Sequence, residues 1–97
     1  VRGYVDELAC AGVEEGAAGR SLRVLDLARS LYTLAHRRPV SKVEAARWLA
    51  REQPGFARVV EAALQVWSGS GGEREAVVVT SEFAEFAAEA RRLAGRP

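Results

Sequence analysis

Ninety-seven residues, of which 48% are hydrophobic and 28% are charged, predict one globular domain rather than two. No apolar run approaches the roughly 18 to 20 residues that a membrane-spanning helix requires, so we expect no membrane partner. The net charge is only +1, which does not favour a surface that coats nucleic acid.

Cysteine and methionine usage bears on the cellular setting. Cys10 is the single cysteine of the chain, so an internal disulfide is excluded and a reducing, cytoplasmic location is expected. The first residues show no secretory signal pattern. Because the chain contains no methionine, we expect residues 1–97 to form a single helical domain of a longer gene product.

Charge is distributed unevenly along the chain. Residues 1–19 hold one basic and four acidic side chains, whereas residues 20–42 hold six basic side chains against the single acid Asp26. A basic patch beside an acidic segment favours a small binding site with one positively charged end and one negatively charged end.

Apolar periodicity predicts helices along almost the whole chain. The first is expected over about residues 2–11, and a connector rich in glycine and glutamate follows it. The second extends from an N-cap at Ser21 to His36, and its mostly apolar surface marks it as the central helix. Pro39 then enforces a turn.

The third helix is expected to begin at Ser41, because Ser41 and Glu44 form the S-x-x-E pattern of a capping box. It should end before Pro54, and the fourth helix should continue to Gly69 with Trp67 on its buried face.

The fifth helix is expected to follow the SGSGG loop and to reach about Ala94, with Gly95 after it as a C′ residue. The AVVV segment over residues 76–79 admits an extended strand as an alternative. The expected fold is therefore all-α, a compact antiparallel bundle of about five helices.

The turn between the second and third predicted helices holds the first candidate site residue, Lys42. Its ammonium group would face the positive end of the helix dipole, which costs a few tenths of a kcal/mol unless a negative charge is nearby. A phosphate would supply that charge, since the free amides of a helix N-terminus bind anions. The alternative is that Lys42 extends into water.

Arg29 is the second candidate. It lies in a helix that is apolar nearly all round, and a guanidinium held there could form two parallel hydrogen bonds with a phosphate or a carboxylate. The alternative is an internal ion pair, for instance with Asp26. Arg29 and His36 also resemble the Arg and His motif of the HEPN helical ribonucleases, although the helix dipole explains a C-terminal histidine equally well. One cysteine and one histidine cannot form a zinc site, and no catalytic residue or metal ligand is predicted.

Three segments carry a resemblance to a known family. They are LDLARSLYT, the Pro39–Lys42 turn with AARWLAREQP, and QVWSG. Together they resemble the C-terminal helical domain of the streptomycin/spectinomycin adenylyltransferases and related nucleotidyltransferases. In that family an N-terminal nucleotidyltransferase domain carries the Mg²⁺ ligands and the catalytic base, and the helical domain lends an arginine and a lysine to the phosphates of ATP.

The resemblance implies that Arg29 and Lys42 bind the ATP phosphates and that Trp67 lies near the nucleotide. It also implies that Glu14 and Glu15 contact the ammonium groups of an aminoglycoside, whereas composition alone indicates a solvated connector there.

The implied function is that of a substrate- and nucleotide-binding domain, inactive in isolation, of an enzyme that transfers AMP from ATP to a hydroxyl. Antibiotic resistance and a small hydroxyl acceptor follow from the same resemblance. The alternatives are a stand-alone helical partner of a separate nucleotidyltransferase and a HEPN-like ribonuclease.

Overall fold

The computed structural model describes residues 16–95, and over this range the chain is helical with short connections. It contains α1 (Ala17–His36), α2 (Lys42–Glu52), a 3₁₀ turn (Pro54–Phe56), α3 (Ala57–Ser68) and α4 (Glu73–Ala94). The all-α prediction is confirmed, with four α-helices in the described range. The helix predicted over residues 2–11 lies outside the described residues.

Helix α1 is the centre of the bundle, as its nearly continuous apolar surface predicted. It packs against α2, α3 and α4, while α3 and α4 also pack against each other. A helix with neighbours on several sides needs apolar residues around most of its circumference. The apolar residues of α1 that are completely buried are Val24, Leu25, Leu27 and Ala28.

The predicted start of α1 is wrong. The helix begins at Ala17, with Gly16 as an extended N-cap residue that offers no side-chain hydrogen bond. Ser21 is instead completely buried within the helix, and its Oγ has no hydrogen-bond partner among the described residues. Ala17–Arg20 therefore belong to the helix rather than to the predicted connector. Ala35, predicted on the apolar face, is exposed.

The ends of α2 and α3 agree with prediction. Ser41 is the N-cap of α2, and its Oγ accepts a hydrogen bond from the Glu44 N–H at 3.2 Å. Helix α2 ends at Glu52, before Pro54. Helix α3 ends at Ser68, and the C-cap residue Gly69 has a φ of 86°, the left-handed conformation that glycine adopts without strain.

Helix α4 closes the bundle and contradicts two expectations. Residues 76–79 are helical, so the extended alternative for this segment is wrong. Gly95 follows the helix with a φ of −82°, so it is not the left-handed C′ residue that was predicted. The buried inner face of α4 includes Val79, Phe83, Phe86 and Ala87. None of the helices described over residues 16–95 is long and apolar enough to cross a membrane.

Candidate phosphate-binding site

The turn between α1 and α2 brings the candidate cations together. Arg37 ends α1 in the left-handed conformation, with a φ of 57°, and its N–H donates to the Thr33 carbonyl at 2.7 Å. Pro39 and Ser41 then lead directly into α2. Since the connection is this short and folds back along α1, the first residue of α2, Lys42, lies beside the middle of α1.

Lys42 has a negative partner, and that partner is Asp26. The Nζ of Lys42 lies 3.0 Å from Oδ1 of Asp26, with the two side chains 22% and 14% exposed. The expectation that a lysine at this position needs a nearby negative charge is thus met within the chain. The alternative in which Lys42 extends freely into water is wrong.

Arg29 is held in place by a different group. Its Nε donates to the Val40 carbonyl at 3.1 Å, which ties α1 to the turn before α2. Its NH1 lies 3.9 Å from Oδ1 of Asp26, at the outer limit of an ion pair. The internal ion pair considered from the sequence is present but long, and the arginine side chain remains 42% exposed.

We call Asp26, Arg29 and Lys42 the corner site. One oxygen of the Asp26 carboxylate faces both cations. Because the site holds two cations and one carboxylate, the three side chains together carry a net charge of +1. Lysine has three N–H donors and arginine has five, so both keep donors beyond those used in these contacts. The site therefore combines a net positive charge with partly exposed donors from two helices, which suits an anionic ligand with several oxygens.

Aromatic side chains lie on the same two helices. The rings of Tyr32 and His36 are stacked with centroids 4.1 Å apart, and the Trp48 ring meets them edge-on at 5.3 and 5.4 Å. The Arg38 NH2 group donates to the Tyr32 hydroxyl at 2.8 Å. These contacts fix the end of α1 against α2 and so support the geometry of the corner site.

His36 belongs to this aromatic cluster, in which its Nδ1 lies 3.2 Å from the Tyr32 carbonyl one turn earlier. The other half of the ribonuclease-like pair, Arg29, is bonded to Val40 as described above. Each member of the pair therefore has a contact within the fold: Arg29 has a hydrogen bond, and His36 has a stacked aromatic ring. The ribonuclease hypothesis itself stays a prediction.

The prediction that Trp67 lies on the buried face of its helix is wrong. Its side chain is 46% exposed near the end of α3, although the preceding residue, Val66, packs against the core. An exposed indole is available to a ligand or another domain. Glu14 and Glu15, the predicted contacts for an acceptor, lie outside the described residues.

An apolar groove of about 380 Å³ lies where α1, α2 and α4 end. Leu31, Leu34, Trp48 and Leu93 line it, together with the charged residues Arg37 and Glu52. Trp48 thus contacts the aromatic cluster and also lines the groove. Among the described residues, no group of three or more His, Cys, Asp or Glu side chains is placed to hold a metal ion.

Sequence reasoning missed the role of Asp26 as the partner of Lys42. The available signal was an acid between Leu25 and Leu27 in a helix with a mostly apolar surface, because a carboxylate in such a place requires a cation or several donors. The Val40 carbonyl gave no sequence signal, since any residue supplies a backbone oxygen.

The fold and the corner site define a small helical domain that presents two cations from adjoining helices. The chain belongs to the family described as "Aminoglycoside adenylyltransferase, C-terminal domain", which matches residues 7–92. The match includes all of α1, α2 and α3 and nearly all of α4. Neither the curated proteins nor the solved structures gave a match to this chain.

Proposed function

We propose that this domain binds the phosphates of ATP through Arg29 and Lys42, as part of an enzyme that transfers AMP from ATP to a hydroxyl. The observation that carries the proposal is the convergence of these two cations at the corner site in a chain of the aminoglycoside adenylyltransferase C-terminal family. The resemblance found in the sequence concerned the same two residues.

The chemistry of the corner site supports a polyphosphate ligand. Arg29 is anchored through Nε, which leaves its outer N–H groups free to approach two oxygens at once. Lys42 is the first residue of α2, so a phosphate that reached its ammonium would also lie near the positive end of that helix. Transfer of AMP builds negative charge on the leaving pyrophosphate, which fixed cations stabilise.

The remaining parts of the reaction require groups from elsewhere. We propose that an N-terminal nucleotidyltransferase domain supplies the ligands for Mg²⁺ and the catalytic base, and that this chain alone is inactive. Mg²⁺ would neutralise phosphate charge alongside Arg29 and Lys42. The exposed indole of Trp67 is the proposed aromatic contact for the nucleotide.

The acceptor is proposed to be an aminoglycoside or another small molecule with a hydroxyl group. Glu14 and Glu15 are the acids proposed to meet its ammonium groups, and such an activity would confer antibiotic resistance. A stand-alone helical domain that binds a separate nucleotidyltransferase would use the same corner site. Co-purification of such a protein with this chain would distinguish that arrangement from a single-chain enzyme.

The first prediction tests the phosphate site directly. Sodium tripolyphosphate or ATP is titrated into the ¹⁵N-labelled chain at about 0.1 M ionic strength, where the Debye length is about 10 Å, and amide shifts are followed by NMR. We expect the largest shifts around Arg29 and Lys42. We also expect a loss of affinity of about five- to tenfold for Arg29→Ala and for Lys42→Ala, which corresponds to about 1 kcal/mol, the typical net contribution of one hydrogen bond.

The matched control is Arg74→Ala, which removes the same charge from an exposed position in the first turn of α4. We expect it to change the affinity by less than about twofold, since screening weakens interactions between exposed and distant charges. Equal losses for all three variants would show that only net charge matters, and the proposal would be wrong.

A further inference from the structure

We propose that Asp26 is a built-in competitor for the phosphate ligand, which pairs with Lys42 and lowers the affinity of the site for anions. This inference rests on the proposed phosphate site at Arg29 and Lys42. It assigns a regulatory role to Asp26, whose charge has the same sign as that of the ligand.

The position of Asp26 supports this role. Its side chain is only 14% exposed, on a helix whose neighbouring residues Leu25 and Leu27 are completely buried. A carboxylate in such surroundings gives up much of its hydration and is stable only with a partner. Lys42, at 3.0 Å, is the nearer of its two cations.

The competition falls on Lys42 rather than on Arg29. The Nε of Arg29 is occupied by the Val40 carbonyl, and its NH1 is 3.9 Å from the carboxylate, so a ligand could meet the guanidinium without breaking a short contact with Asp26. The ammonium of Lys42, in contrast, makes a short contact with Asp26. A phosphate must either draw it away or share it, and in both cases the ion pair is weakened.

Asp26 also acts through its charge. With Asp26 ionised, the corner site carries one net positive charge, and replacement by asparagine would raise this to two while nearly preserving the shape of the side chain. Two effects of the change then act in the same direction on anion binding. The repulsion between carboxylate and phosphate disappears, and Lys42 no longer has an internal ion-pair partner at the site.

The experiment is a double-mutant cycle with sodium tripolyphosphate as the probe. Its affinity is measured by calorimetry or NMR for the unchanged chain, Asp26→Asn, Lys42→Ala and the double variant. We expect Asp26→Asn to bind tripolyphosphate about three- to tenfold more tightly, from the removal of one charge close to the ligand. We also expect Lys42→Ala to cost at least about threefold more affinity in the Asp26→Asn background than in the unchanged chain.

The control for the general effect of charge is Glu82→Gln. Glu82 is likewise partly buried and paired, with Arg58 at 2.6 Å, but it lies on α4. We expect this change to alter the affinity by less than about twofold, because its charge lies outside the corner site. Should Asp26→Asn fail to fold, Asp26→Ser provides a smaller neutral replacement for the same cycle.

The outcomes separate the inference from the proposed function. If Lys42→Ala and Arg29→Ala do not weaken binding in the unchanged chain, the phosphate site is wrong. If they do weaken it but Asp26→Asn binds no more tightly than Glu82→Gln, the role of Asp26 as a competitor is refuted. An equal cost of Lys42→Ala in both backgrounds would also refute it, because Asp26 would then not compete for Lys42.

Discussion

The side chain of Asp26 is expected to have opposite effects on folding and on binding. Its carboxylate pairs with Lys42 and approaches Arg29, which allows two cations to lie close together where the start of α2 packs against α1. A bound phosphate would meet the same carboxylate as a repelling charge. A residue that only stabilised the fold would not show this opposition, so stability and affinity should be measured on the same variants.

Replacement of Asp26 by asparagine should destabilise the chain by about 1–2 kcal/mol, because a partly buried lysine would lose its charged partner. Urea unfolding monitored by circular dichroism measures this change. Glu82→Gln, which breaks the more exposed pair with Arg58, should cost less than about 0.5 kcal/mol. A stability equal to that of the unchanged chain would show that the Asp26–Lys42 contact contributes nothing to folding.

At the level of helices and turns, the sequence predicted those boundaries that a local interaction decides. Ser41 begins α2 because its own hydroxyl accepts the Glu44 amide, and Gly69 ends α3 because it adopts a positive φ. Both signals lie within a few residues of the boundary. Ser21 resembled a cap equally well, but packing of α1 against its neighbours buries that residue and the helix begins earlier.

The connection between α3 and α4 is closely packed at one glycine. A Cβ atom added to Gly71 would lie 2.8 Å from the backbone nitrogen of Val66, and the Gly71 N–H donates to the Gln65 carbonyl at 2.8 Å. Because the obstacle is backbone rather than a flexible side chain, the turn itself would have to shift. This makes Gly71 the glycine of the SGSGG loop whose lack of a side chain matters for contact.

Gly71→Ala should therefore destabilise the chain by about 1–3 kcal/mol, a typical cost of forced backbone shifts in packed regions. Thermal unfolding measures the effect. Gly55→Ala is the matched control, since a Cβ there meets nothing within 4 Å, and it should leave the stability unchanged or slightly higher. If both variants melt together with the unchanged chain, the close approach of Gly71 to α3 is not a constraint.

Across the described helices, the placement of the proposed site residues depends on how one helix packs against another. The family resemblance identified Arg29 and Lys42 as candidates, and the structure brings both to one carboxylate. The contact between Asp26 and Lys42 could not be derived in the same way, since it depends on how α2 crosses α1. The exposure of Trp67 depends likewise on how α3 is rotated in the bundle.

The same dependence on α1 predicts that the described helices unfold together. Leu25 is completely buried in α1, which packs against the other three helices. Leu25→Ala should cost about 2–5 kcal/mol, as large-to-small changes in packed cores do. That is a large fraction of the roughly 5–15 kcal/mol that stabilises a typical domain, so the midpoint of thermal unfolding should fall by more than about 10 °C.

Two probes test whether this loss is shared by all four helices. Circular dichroism reports total helix, while tryptophan fluorescence reports α2 through Trp48 and α3 through Trp67. Because every helix depends on α1, both signals should change in one coincident transition in the unchanged chain and in Leu25→Ala.

Val77→Ala, at an α4 position that is 58% exposed, should shift that transition by no more than about 3 °C, as expected for surface changes within about 0.5 kcal/mol. Separate transitions for the two probes would show that the bundle consists of independent parts, and α1 would then not be its common core.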